Sequence, residues 1–204
     1  MYDYAIRFEQ DTAPGLAVFC RDLPELNSYG DDEQHALSEA VDAIETTLSI
    51  YVDQRRPIPQ ASAPQEGERV IHLPAVTVAK IVLWNTMMER DMRKADLRRL
   101  LGVHQVQGDR LVDFLHTSKM EQLEAALAAL GRRLAVSVMK NYAVTYLLND
   151  EPSLLKVTGC ISDTNALQAV ASKHSVALPV TGRAEDLVAK LASQGIREVR
   201  LAEL

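Results

Sequence analysis

Residues 2–20 read YDYAIRFEQDTAPGLAVFC, and the spacing of their apolar side chains decides how the chain begins. Tyr2, Tyr4, Ile6 and Phe8 alternate with polar or small residues, and Leu16, Val18 and Cys20 resume the alternation after Ala13-Pro14-Gly15. A period of two places one row of side chains on one face, so each half is predicted to be a half-buried strand. The proline and glycine between them supply turn geometry, and the pair is expected to form a hairpin.

Working outward, Asp22-Leu23-Pro24-Glu25-Leu26 is a proline turn and Asn27-Ser28-Tyr29 a candidate third strand. Gly30-Asp31-Asp32 then precedes Ala36, Leu37, Ala40, Val41, Ile44 and Leu48, the spacing of an amphipathic helix. Asp31 or Asp32 is placed to cap it, and Glu33 adds negative charge at its positive end. Residues 55–68, RRPIPQASAPQEGE, hold three prolines and are expected to be an irregular connection. It leads to a strand over Arg69 to Pro74 that returns to the first sheet. From Val76 the pattern turns helical, with Val78, Ile81, Val82, Trp84 and Met88 at helical spacing, and shorter helices follow to about Leu134. Trp84, Met87, Met88 and Met92 read as packing residues.

The last third alternates again. Strands are expected at Leu134 to Val138, Tyr142 to Leu147 and Leu154 to Val157, the latter two around an Asn149 to Pro152 turn. Helices follow from Ser162 to about His174 and from Arg183 to Ser193, with strands at Ser175 to Val180 and Ile196 to Leu201. The strand–helix–strand ending favours a parallel pair joined by a right-handed crossover. Glycine turns at Gly159-Cys160 and Thr181-Gly182 are candidate anion contacts, though glycine there more often serves the turn alone. The fold class is therefore α+β, ending in a small α/β module. The expected divisions are 1–74, 75–138 and 139–204.

The net charge of −6 conceals an asymmetry. Residues 1–79 hold 5 Lys and Arg against 14 Asp and Glu, residues 80–133 hold 10 against 7, and residues 134–204 hold 7 of each. An acidic front suits a basic partner, and a mildly basic helical middle suits a phosphate backbone. Cys20 and Cys160 have no CxxC or Cys/His spacing, so no zinc site or disulfide framework is expected, and a reducing cytoplasm fits. No signal peptide and no apolar run long enough to span a membrane is expected either. No HExxH, GxSxG, GxGxxG or phosphate-loop pattern occurs, and no cofactor is implied.

Residues 94–115, KADLRRLLGVHQVQGDRLVDFL, have the spacing of a helix, a turn at Gly102-Val103 and a second helix. In a DNA-binding helix-turn-helix the second helix meets base edges, here through His104, Gln105, Gln107 and Arg110, with Lys94, Arg99 and Lys119 available to phosphates. Two positions depart from that motif: Arg98 stands where the first helix usually carries a small alanine, and Gly108 where the second carries a buried Ile or Val. An arginine opposite a missing side chain can refill the same space. Plain packing of a two-helix corner stays open beside DNA binding. A metal-dependent nuclease built from Asp3, Glu9, Asp22, Asp31, Asp32 and Glu39 is a third reading. His35 and His72 stand alone in the sequence and are expected to be structural or solvated.

In order and spacing these segments resemble the HicB family of antitoxins. The resemblance rests on the Gly15 to Phe19 strand, Asp22-Leu23-Pro24, Gly30-Asp31, Glu39-Ala40, Ile58-Pro59, Leu73-Pro74, Val78-Ala79-Lys80 and Asn85. It continues through Leu97 to Leu101 with Gly102, Arg110-Leu111 and Leu130-Gly131, covering about residues 1–138. It implies a front domain like a partial ribonuclease H fold without nuclease activity. That domain would bind a small, basic, RNA-cleaving toxin of the HicA type, with Asp22, Glu25, Asp31 and Asp32 as its toxin-facing carboxylates. It also implies a helix-turn-helix that dimerises, or assembles into tetramers, and represses the operon. A helix-turn-helix regulator without a toxin partner is the alternative. Residues 139–204 lie outside the resemblance and read as an accessory packing or oligomerisation module.

Overall fold

The computed structural model describes residues 2–10, 15–135, 140–160, 162–178 and 183–204. The expected hairpin forms as β1 (Tyr4–Gln10) and β2 (Leu16–Cys20), paired antiparallel from Ile6↔Cys20 to Gln10↔Leu16. Ala13 and Pro14 of its predicted turn lie outside the described residues. β3 (Ser28–Gly30) adds to β2, and β4 (Arg69–Ile71) returns to β1 with Tyr4↔Ile71, giving the antiparallel order β3-β2-β1-β4. Tyr4, Ile6, Val18, Cys20 and Ile71 are buried. Phe19, Tyr29 and Val70, on the other parity, are exposed.

The covering helix is α1 (Glu33–Asp53), and its buried Ala36, Ala40, Ile44, Leu48, Tyr51 and Val52 recur at helical spacing. Asp32 is the N-cap, its carboxylate accepting from the His35 N–H at 2.8 Å. The sheet enters this helix abruptly. A Cβ on Gly30 would stand 2.3 Å from the Ala36 nitrogen, so only a residue without a side chain permits the approach.

Pro74 is the N-cap of α2 (Ala75–Glu89), a helix buried on most sides through Ala79, Lys80, Ile81, Leu83, Trp84 and Met87. α3 (Lys94–Leu101), α4 (Gln105–Arg110) and α5 (Met120–Ala129) follow. One hydrophobic core runs from Tyr4 through Leu130, so position 74 falls inside it: Ile81, Trp84 and Met87 pack in the same cluster as Ile6 and Ile44. The compact units are residues 1–134 and 135–204.

The second unit has its own core of Tyr142, Val144, Tyr146, Leu167, Val170, Leu187, Leu191 and Ile196. β5 (Lys140–Leu148) and β6 (Glu151–Cys160) form a hairpin around Asn149 and Asp150, whose φ angles of 51° and 67° suit a tight two-residue turn. α6 (Asp163–Lys173), α7 (Ala184–Ala192) and β7 (Ile196–Glu203) complete it. Two expectations are corrected. Ser175 to Leu178 are not a strand, because Ser175 at φ 56° turns the chain away after α6. β7 pairs antiparallel with β5, giving the order β6-β5-β7, because the hairpin leaves that edge of β5 open. β6 and β7 thus run in the same direction with β5 between them. Gly159-Cys160 ends β6, where it forms strand, while Val136 to Met139, Val180 and Thr181-Gly182 lie outside the described residues.

Candidate functional site

The four front carboxylates fall into two groups at opposite ends of β2. Asp22 follows β2, and its two oxygens accept from the Ser62 hydroxyl at 2.6 Å and the Ser62 N–H at 2.8 Å. Beside it, Arg21 donates to the Ala63 carbonyl at 3.1 Å and pairs with Glu68 at 3.2 Å, while Glu68 also accepts from the Gln65 N–H at 2.7 Å. These bonds fasten the proline-rich connection to the sheet. Glu25 accepts from the Tyr51 hydroxyl at 2.8 Å and from Arg56, whose guanidinium lies 4.2 Å from the Tyr51 ring centroid. The Arg56 and Tyr51 bonds hold the Glu25 carboxyl below its ordinary range. Burial, with the Glu25 contact, pushes the Tyr51 hydroxyl up to about 12.

The far side of the same connection is held by α2. Trp84 Nε1 donates to the Arg56 carbonyl at 2.8 Å, and the Asn85 amide both accepts from the Ile58 N–H and donates to the Ile58 carbonyl, each at 2.8 Å. Tyr4 donates its hydroxyl to the Pro59 carbonyl at 2.7 Å. Asn85 thus serves Ile58 as a strand neighbour would, satisfying both backbone groups of a residue that is itself buried. Tyr51, Arg56, Ser62 and Trp84 carried no functional signal in the sequence, since their partners are 26 to 40 residues away.

Asp31 and Asp32 sit at the other end of β2, at the start of α1. Asp31 is 80% exposed and 3.4 Å from His35 Nδ1, and Asp32 is the cap already described. The solvent side of α1 continues this charge through Glu39 and Asp42, both exposed, and the helix has no Lys or Arg in its 21 residues. Of the other carboxylates, Asp3 lies 3.2 Å from His72 and Glu9 2.6 Å from Arg7. Among the described residues no group of three His, Cys, Asp or Glu is placed to hold a metal ion.

The basic candidates lie on α3, on α4 and at the start of α5. Gly102, at φ 64°, ends α3 in the left-handed region, and the N–H groups of Gly102 and Val103 return to the Arg99 and Arg98 carbonyls. His104 is the N-cap of α4, so Gly102, Val103 and His104 join the two helices. His104, Gln105, Gln107 and Arg110 are all exposed on this short helix, together with Val106. Lys94 opens α3, half-buried; Arg99 is exposed but pairs with Asp96 at 3.0 Å; Lys119 is exposed as the N-cap of α5. After Arg110 the chain continues in tight turns, with Leu111, Val112 and Asp113 each bonding three residues back. Lys80 holds those turns: its buried ammonium donates to the carbonyls of Asp113 and His116. Burial lowers the Lys80 pKa, against the nearby Asp113 and Glu45 carboxylates, which raise it.

Comparison with known proteins places the chain in a family. The family described as "HicB_like antitoxin of bacterial toxin-antitoxin system" matches residues 3–82, the sheet, α1 and the start of α2. Antitoxin HicB of Pseudomonas fluorescens (strain Pf0-1) is 50% identical over 140 residues, which are 68% of this chain and 94% of the relative. The chain belongs to the HicB antitoxin family. Antitoxin HicB 2 of Photorhabdus laumondii is 38% identical over 131 residues, 64% of this chain and 92% of that protein. Antitoxin HicB of Escherichia coli (strain K12) is 26% identical over 122 residues, 60% of this chain and 88% of that one. As a HicB-family protein, this chain is an antitoxin of a toxin–antitoxin system, and these relatives match about two thirds of it. No helix among the described residues is long and apolar enough to cross a membrane.

Proposed function

We propose that the first unit neutralises a HicA-like, mRNA-cleaving toxin in the cytoplasm by protein–protein contact and performs no chemistry itself. The observation that carries this reading is the acidic side of α1, where Asp31, Asp32, Glu39 and Asp42 face solvent with no Lys or Arg on the helix. An RNA-cleaving protein presents cationic groups to phosphates, and an acidic surface draws it in and competes with RNA for the same groups. Asp22 and Glu25 act one step back, by holding the 55–68 connection in shape. The β3-β2-β1-β4 sheet with α1 on one face supports the partial ribonuclease H likeness.

α3 and α4 are proposed to act as a helix-turn-helix that represses the operon, as a homodimer or a tetramer. His104, Gln105, Gln107 and Arg110 would face bases, with Lys94, Arg99 and Lys119 on phosphates. The second unit is read as an accessory domain.

The test is inhibition of RNA cleavage by a HicA-type toxin. Wild-type protein is expected to block cleavage at equimolar ratio. Reversing charge with Asp31→Lys and Asp42→Lys should weaken the complex about tenfold or more at low salt, with less effect at high salt. Undiminished cleavage with the wild type would favour the other reading, a transcriptional regulator without a toxin partner.

A further inference from the structure

The departure at Arg98 and Gly108 has a geometry that the helix-turn-helix reading does not by itself supply. Gly108 is buried, and a Cβ built on it would stand 2.3 Å from Cγ, 3.1 Å from Cδ and 3.5 Å from Cβ of Arg98. The arginine's aliphatic stem therefore occupies the space into which a residue 108 side chain would project. Cγ is placed by χ1, so only a change of rotamer takes it out of that space, and such a change carries the whole stem away from Gly108. The guanidinium turns back along α4: Nη1 is 3.7 Å from Asp109 Oδ1, and the side chain is 22% exposed, against 77% for neighbouring Arg99.

We propose that Arg98 is a positioning residue for α4: its stem replaces, from the first helix, the side chain that the second helix lacks, and its charge is turned inward to Asp109 and withdrawn from phosphate. The inference rests on the reading of α3 and α4 as a DNA-binding pair for its consequence, and on packing alone for its cause. Gly in a helix interior is destabilising relative to Ala. Here that ordinary gain from adding a methyl is unavailable, because the stem already fills the site. Arg98 thus sets the separation of the two helices and, with it, the presentation of Gln105, Gln107 and Arg110.

The experiment uses the full chain and a DNA duplex spanning the region upstream of its own coding sequence. Gly108→Val alone is expected to weaken duplex binding about tenfold or more and to lower the urea midpoint, since it drives a side chain into an occupied space. Arg98→Ala combined with Gly108→Val restores the filler from the other helix, and binding and midpoint should return to within about threefold and a few tenths of a molar of wild type. The charge is read separately. Arg98→Met keeps the stem, and the slope of log affinity against log salt should stay at the wild-type value, whereas Arg99→Met should reduce it by about 0.9. Additive losses in the double variant, or a reduced salt slope for Arg98→Met, would overturn the proposal. If the wild type does not bind the duplex, the DNA reading falls; the urea midpoints of the two single variants and the pair still decide whether Arg98 props α4.

Discussion

Glu25, expected among the toxin-facing carboxylates, is also bonded within its own chain. Its carboxylate is held by Tyr51 and Arg56, and those bonds lower its pKa. A carboxylate whose pKa is lower folded than unfolded stabilises the fold above the unfolded value, near 4.5, and loses that contribution as pH falls through the folded value. Urea midpoints taken from pH 7 downward should therefore fall below about pH 4.5, and Glu25→Gln should flatten part of that decline. An identical acid limb in both proteins would show that Glu25 contributes nothing to it. At this scale the sequence was partly legible. A cap at Asp31 or Asp32 was readable, because a cap and its N–H lie three residues apart, and the structure chose Asp32. The Asp22–Ser62 and Glu25–Arg56 pairs were not, because nothing local distinguishes a carboxylate with a distant partner from a free one.

Among the elements, α2 is bonded to two segments distant in sequence. It holds the irregular connection through Trp84 and Asn85, and the turns after α4 through Lys80. An ammonium 2% exposed would be a liability without acceptors, and the two carbonyls are what make it tolerable. Lys80→Met keeps the length of the side chain and strands both carbonyls. It should cost about 2–3 kcal/mol in urea unfolding and speed amide exchange selectively over residues 111–118. Exchange raised evenly over the first unit would instead mean that Lys80 serves general stability. The periodicity predicted α1 well because it is long with regular apolar spacing, whereas α2 was readable as a helix but not by its buried face, since it is buried on most sides. α4, at six residues, offers too little periodicity to read: its start was legible from the Gly102 turn before it, and its end at Arg110 was not.

Over the whole molecule, the two cores share no residue, and the family match covers 3–82 within the first unit. Cutting Leu167, fully buried in the second core, to Ala should cost that unit about 2–5 kcal/mol. In a calorimetric scan only one part of the unfolding profile should move, and toxin inhibition should stay at the wild-type level. Loss of inhibition with Leu167→Ala would bring the second unit into the antitoxin function. The amino-acid sequence by itself determined the elements whose signals are local: the β1–β2 hairpin, a cap at Asp31 or Asp32, the Gly102 turn, a turn within Asn149 to Pro152, and the acidic front. Tertiary structure alone decided that β7 joins β5 antiparallel, that Lys80 is satisfied by carbonyls more than 30 residues away, and that Arg98 fills the space above Gly108. The physical reason is common to all three. Strand partners, buried charges and shared volumes are settled by what lies opposite in space, and a period of two or 3.6 residues is silent about what stands there.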